Sequence, residues 1–241
     1  NSLPSSSDHI TTGAGSGGPS GCATGTYASG ERYVVSGTCQ GYAKPNWQSL
    51  VGVPADGVRD IPDVSLFASN GNWGAYYAVC NSNPADQDSP CTGDPSTWPG
   101  YGGTSISSPI WAGIQALVNQ TTGASWGNSN PVLYTLANAA YGAAGNSACN
   151  SSAAGGASSN CVFYDVTQGD NAVNCTASTS SSSKGTWNCY LNGGTYGVLS
   201  TSNSALQPAY NATTGYDFAT GIGTTNATNL VNAWSAYAKS E

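Results

Sequence analysis

With 241 residues the chain is long enough for one domain with a sizeable core, and its 5 Lys+Arg against 12 Asp+Glu give a net charge of −7. Charged residues are only 7% of it, which excludes a nucleic-acid partner and an anionic membrane surface, since both need clustered cations. No run of about 18 apolar residues occurs, so no segment is predicted to span a bilayer as a helix, and the first residues are polar without a signal-peptide pattern. A surface of Ser, Thr, Asn, Gln and Gly barely changes charge as pH falls. With few carboxylates there is little native ion pairing to lose, so the composition predicts tolerance of acid.

In chain order, residues 1–45 are rich in Gly, Ser and Thr with little periodicity, and Thr12 to Ser20 reads as a loop. Residues 60–68 read as a turn followed by a buried strand, and Trp73 to Val79 as a second strand. Residues 80–100 form a Pro/Asp/Ser-rich insertion closed by Cys80 and Cys91. A helix is predicted over 106–120, and a short amphipathic helix follows Asn130-Pro131 through Val132 to Tyr141. Residues 143–160 and 176–185 are surface loops of Ser, Ala and Gly, and Asn226 to Ala238 reads as a last helix. No internal repeat emerges. Alternating strands and helices predict an α/β layered sheet.

Eight cysteines fall into close neighbouring pairs, Cys22/Cys39, Cys80/Cys91, Cys149/Cys161 and Cys175/Cys189. None has the spacing of a zinc site, and the single histidine adds little to one. The even count with short loops predicts disulfides between neighbours, an oxidising compartment and secretion.

Two constellations carry chemistry. Gly102-Gly103-Thr104-Ser105 runs into Ile106-Ser107-Ser108-Pro109 and the apolar run Ile110 to Val118. A serine delivered by a glycine turn to a helix start has free N–H groups and the positive helix end beside it, which suits an anionic tetrahedral intermediate. The competing reading is a plain N-cap serine, with Pro109 in the first turn. Further on, Asp165 leaves a strand into a polar loop, and Thr213-Thr214-Gly215-Tyr216-Asp217 offers a second carboxylate beside glycine. Hard cations take carboxylate and carbonyl oxygens, and ordinary Asp/Gly turns are the alternative.

Together these segments resemble the sedolisin family (kumamolisin-like), the serine-carboxyl peptidases of subtilisin-like fold that work in acid. The resemblance rests on Gly103-Thr104-Ser105-x-x-x-Pro109, Arg59-x-x-Pro62-Asp63-Val64-Ser65, Pro45-x-Trp47-Gln48, Asp165-Val166-Thr167-x-Gly169 and Gly215-Tyr216-Asp217-x-x-Thr220-Gly221-x-Gly223. It covers roughly residues 13 to 235 in the family's order. It implies a mainly parallel layered sheet, here the C-terminal part of the catalytic domain. It also implies that Ser105 is the nucleophile, with Gly102 and Gly103 beside the substrate. One Ca2+ would be held by Asp165, Asp217 and the carbonyls of Val166, Thr213 and Gly215.

The family's glutamate base, the aspartate that orients it and its oxyanion aspartate all lie upstream of the nucleophile. None of those motifs is present here. The one glutamate before Ser105 is Glu31, between Cys22 and Cys39, and the one histidine, His9, sits beside Asp8 in a polar segment that reads as solvated tail. The expectation is therefore a secreted endopeptidase of two chains. The N-terminal chain of the same precursor stays docked without covalent linkage and supplies the missing carboxylates, and the substrate is a peptide or protein. The alternative is a catalytically inactive secreted binding or surface protein using its 14 tyrosines and 7 tryptophans. Most of these (Tyr76, Tyr77, Trp111, Tyr134, Trp234) lie in apolar runs and read as core.

Overall fold

A computed structural model describes residues 15, 17–21, 41–69, 75–83, 85, 90–171 and 210–241. Its elements, in chain order, are β1 (Gly18–Pro19), β2 (Asp60–Ile61), β3 (Tyr77–Ala78), β4 (Gly100–Tyr101), α1 (Thr104–Thr122), α2 (Asn130–Tyr141), β5 (Phe163–Tyr164), β6 (Thr224–Thr225) and α3 (Ala227–Ala238). The chain divides into two compact units, one of residues 1–65 with 125–241 and one of residues 66–124.

In the larger unit α2 begins with Pro131 in its first turn, where the missing N–H costs nothing, and ends at Gly142 with φ 63°. Leu133, Tyr134, Ala137 and Tyr141 recur at helical spacing and are buried. Asn226 caps α3 by accepting from the Asn229 N–H, and Leu230 and Trp234, one turn apart, are its buried residues. The Tyr141 hydroxyl donates to the Ile222 carbonyl at 2.7 Å, which satisfies a polar tip among Phe163, Ile222 and other buried apolar groups.

The Pro-x-Trp-Gln and Arg-x-x-Pro-Asp segments meet in this unit as a structural fastener. Gln48, 2% exposed, accepts from the Asp60 N–H at 3.0 Å and donates to the Asp60 carbonyl at 2.8 Å and the Tyr134 hydroxyl at 3.0 Å. Arg59 pairs with Asp63 and lies 5.1 Å from the Trp47 ring centroid. Asp63 also accepts from the Tyr134 hydroxyl and from Asn130. Fully buried Asp60 pairs with Lys44, yet burial is the larger influence and raises its carboxyl above the ordinary range.

In the smaller unit β3 and β4 form an antiparallel ribbon with Tyr77 opposite Tyr101, and α1 follows directly. Cys80 and Cys91 are joined, as are Cys149 and Cys161 in the larger unit. Cys22, Cys39, Cys175 and Cys189, like Asp8, His9 and Glu31, lie outside the described residues.

Several expectations change. The described strands pair two by two, all antiparallel, and no parallel sheet is present among the described residues. Of the turn and buried strand expected over 60–68, the strand is absent, and the two strand residues, Asp60–Ile61, fall where the turn was expected, paired with Gly18–Pro19 where a loop was expected. Pro62 has no N–H to extend the ladder, and the segment beyond it is half-buried, not buried. Tyr76 is 48% exposed, so it is not core, and Tyr77 and Trp111 are half-buried, whereas Tyr134 and Trp234 are core. Among the described residues no helix is long and apolar enough to cross a membrane.

Candidate functional site

Ser105 is the second residue of α1 and is exposed. Gly103, not the serine, occupies the N-cap, with φ 82° and no side-chain capping bond. That positive φ is why glycine stands there: a side chain would meet nothing nearer than the Ser105 nitrogen at 4.0 Å, so the restriction is conformational, not steric crowding. The turn is fixed by Gly103 N–H donating to the Ala68 carbonyl at 2.6 Å and by Ile106 N–H donating to the Gly103 carbonyl. The N–H groups of Thr104 and Ser105 precede the first intrahelical bond and point out of the helix end. The N-cap reading of Ser105 is thereby overturned.

Pro109 also differs from expectation. It lies inside the helix, not in its first turn. The described carboxylate of this unit, Asp94, caps the short 3-10 turn Pro95–Thr97 by accepting from Ser96. No carboxylate or imidazole of the unit's described residues hydrogen-bonds Ser105. Within the apolar run of α1, Ala112, Gly113, Ala116 and Leu117 are exposed, Leu117 at 49%. With Ser105, Ser108 and Pro109 they make one stripe, because positions three and four apart share a helix face.

The second constellation lies within the larger unit. Asp165 is 1% exposed. Its Oδ2 accepts from Gly215 N–H at 2.9 Å, while its Oδ1 has no partner among the described residues. Burial, chiefly, pushes its carboxyl up to about 6; the Gly215 N–H opposes this and the Asp217 charge adds to it. Asp217 is buried too. Its Oδ2 accepts from Thr213 N–H at 2.8 Å, and its Oδ1 accepts from the N–H groups of Ala219 and Thr220 and the Thr220 hydroxyl. Burial still leaves its carboxyl raised.

Local structure brings these groups together. The Asp165 N–H donates to the Cys149 carbonyl, and its carbonyl accepts from Ser151, so the Cys149–Cys161 loop holds the residue. Gly215 has φ 81°, and a Cβ there would come within 2.2 Å of the Val51 carbonyl. Thus one hydrogen bond joins Gly215 to Asp165 and another joins Thr213 to Asp217, with half-buried Val166 next in chain to Asp165. Among the described residues no group of three or more His, Cys, Asp and Glu gathers anywhere. The contacts made by the two carboxylates are with backbone N–H groups and the Thr220 hydroxyl, and Asp165 Oδ1 is a buried oxygen without a partner among the described residues.

No protein-family model matches the chain, and no curated protein does. Among solved structures the chain is similar to Pseudomonas sedolisin, a serine-carboxyl proteinase complexed with two molecules of pseudo-iodotyrostatin. The two share 23% identity at a TM-score of 0.43, over 85% of this chain and 37% of that one. The chain thus spans just over a third of the length of that protein.

Proposed function

We propose that this chain is the C-terminal part of a secreted serine-carboxyl endopeptidase that acts in acid, and that a subtilisin-like layered sheet forms only together with an upstream segment of the same precursor. The observation that carries this reading is an exposed serine at the second position of a 19-residue helix, behind a glycine at positive φ, with first-turn N–H groups unused by the helix. In the reaction a glutamate of the upstream segment takes the Ser105 proton while the serine oxygen attacks a peptide carbonyl. A carboxylate base has its ordinary titration near pH 4, which matches an acidic working range. The Ser105 N–H donates to the developing oxyanion, and Gly102 and Gly103 let the substrate backbone approach closely.

The Asp165 and Asp217 carboxylates, with the carbonyls of Val166, Thr213 and Gly215, would hold one Ca2+. The ion would neutralise two buried like charges and stabilise the folded state. What supports a docked upstream segment is the exposed α1 stripe of small residues with Leu117, 49% exposed, at its end. A second reading, an inactive secreted binding or surface protein, draws on the absence of a base beside Ser105 among the unit's described residues. Co-expression with the upstream polypeptide of the precursor decides between them. The peptidase reading expects a one-to-one complex that cleaves protein at acid pH. A complex without acid proteolysis, or a monodisperse inactive monomer, would support the binding protein.

A further inference from the structure

The chain contains five Asn-x-Ser/Thr triplets without proline in the middle, at Asn119, Asn150, Asn174, Asn211 and Asn226. They are chemically equivalent in sequence and quite different in structure. Asn174 lies outside the described residues. Asn119 is half-buried within α1, and its Oδ1 accepts from Gln115 at 3.1 Å. Asn150 is half-buried, and its Oδ1 accepts from the Ser152 N–H at 2.8 Å and the Thr167 hydroxyl at 2.9 Å. Asn226 caps α3 with its Oδ1 and donates through Nδ2 to the Tyr164 hydroxyl at 3.0 Å. A sugar on that nitrogen would remove the contact and crowd the cap.

Asn211 is the exception. It lies on a short extended stretch bridged to Asp170, held by Asn171 N–H to the Tyr210 carbonyl and Ala212 N–H to the Gly169 carbonyl. Alternation along that stretch turns Ala212 inward, 8% exposed, and leaves Asn211 and Thr213 exposed on the outer side. The Asn211 side chain carries no hydrogen bond among the described residues. An exposed asparagine on extended surface chain, with its threonine on the same side, is what an attached glycan needs.

We infer that Asn211 is an N-linked glycan site, and that Asn119, Asn150 and Asn226 are held in the fold without one. The bond formed joins Asn211 Nδ2 to the anomeric carbon of the first sugar of a lipid-pyrophosphate-linked oligosaccharide. The bond from that carbon to the pyrophosphate oxygen breaks, its electron pair leaves with the lipid pyrophosphate, and the amide nitrogen gives up one proton. The inference needs passage through a compartment that holds such a donor, and it does not depend on the peptidase reading.

The test is secretion of this chain from a yeast host, followed by enzymatic glycan release in heavy-oxygen water and site-by-site mass spectrometry of the folded material. Release should convert Asn211 to labelled Asp in most molecules and leave Asn119, Asn150 and Asn226 unlabelled. Asn211→Gln and, separately, Thr213→Val, which keeps the residue 213 carbonyl, should each abolish labelling at 211 and lose one glycan's worth of gel retardation. An unlabelled Asn211 in the secreted protein would overturn the inference. So would label at Asn150 or Asn226 in folded material.

Discussion

Pro109 stands one helical turn beyond Ser105 and has no N–H to offer that residue's carbonyl. The Ser105 carbonyl therefore lacks its i+4 donor. The Ser105 N–H precedes the helical ladder. The proline placed at the start of the helix from sequence thus acts deeper in it, on the backbone of the candidate nucleophile itself.

If the proposed pairing with an upstream chain restores activity, replacing Ser105 with Ala should abolish its acid hydrolysis of peptide. The side chain is exposed, so the melting midpoint should stay put, with stability changed by no more than about 0.5 kcal/mol. Turnover by purified Ser105→Ala protein would remove the serine from the mechanism.

Calcium should raise the midpoint of thermal melting near neutral pH, and a chelator should lower it. An ion that binds only the folded state at about 100 times its Kd adds about 2.7 kcal/mol. Asp165→Ala and Asp217→Ala should each make melting insensitive to added calcium. A calcium response that persists in both variants would place the ion elsewhere.

In a chelator the pH dependence should run opposite to ordinary acid denaturation. Burial raises the folded Asp165 carboxyl to about 6, above its unfolded value, so the folded chain binds that proton more tightly than the unfolded chain. The stability this group contributes is full below about pH 4 and is lost as pH rises through about 6, a fall of at most about 3 kcal/mol. Saturating calcium, which needs both carboxylates ionised, should cancel the fall. Denaturant titrations at several pH values measure it, and a chelated protein that gains stability across that window would contradict the assignment.

Gln48→Ala should destabilise the larger unit by on the order of 1–3 kcal/mol, because it leaves the buried Asp60 N–H without its acceptor, while the Asp60 carbonyl keeps its bond from Arg59. Chemical denaturation checks this. A change below about 0.5 kcal/mol, the range of an ordinary surface substitution, would mean water replaces the glutamine there.

The three helices were legible because their punctuation is local. Gly103, Gly123 and Gly142 bracket α1 and α2, Pro131 and Asn226 mark starts, and the apolar spacing of Leu230 and Trp234 sets a face. The disulfides Cys80–Cys91 and Cys149–Cys161 were legible for the same reason, being short loops. What sequence could not give was set by distant chain. Whether Tyr76 or Leu117 is core depends on what covers it, and both are exposed in spite of lying in apolar runs. The strand expected over 60–68 failed because a ladder needs a partner of matching length, and β1 offers two residues. The link between Asp165 and the Thr213–Asp217 segment was suggested by residue type, but the orphaned Oδ1 that distinguishes it from ordinary turns is visible only in three dimensions.

The four donors converging on Asp217 have a kinetic meaning. They tie the loop from Thr213 to Thr220 around one carboxylate without an ion, which matters if the proposed Ca2+ binds there. Little chain would remain to be ordered at the moment of capture, so the speed of loading would follow the ion's release of its own water shell. Exchange of one divalent ion for another would then rank by hydration strength, with reluctantly dehydrating magnesium the slowest to enter.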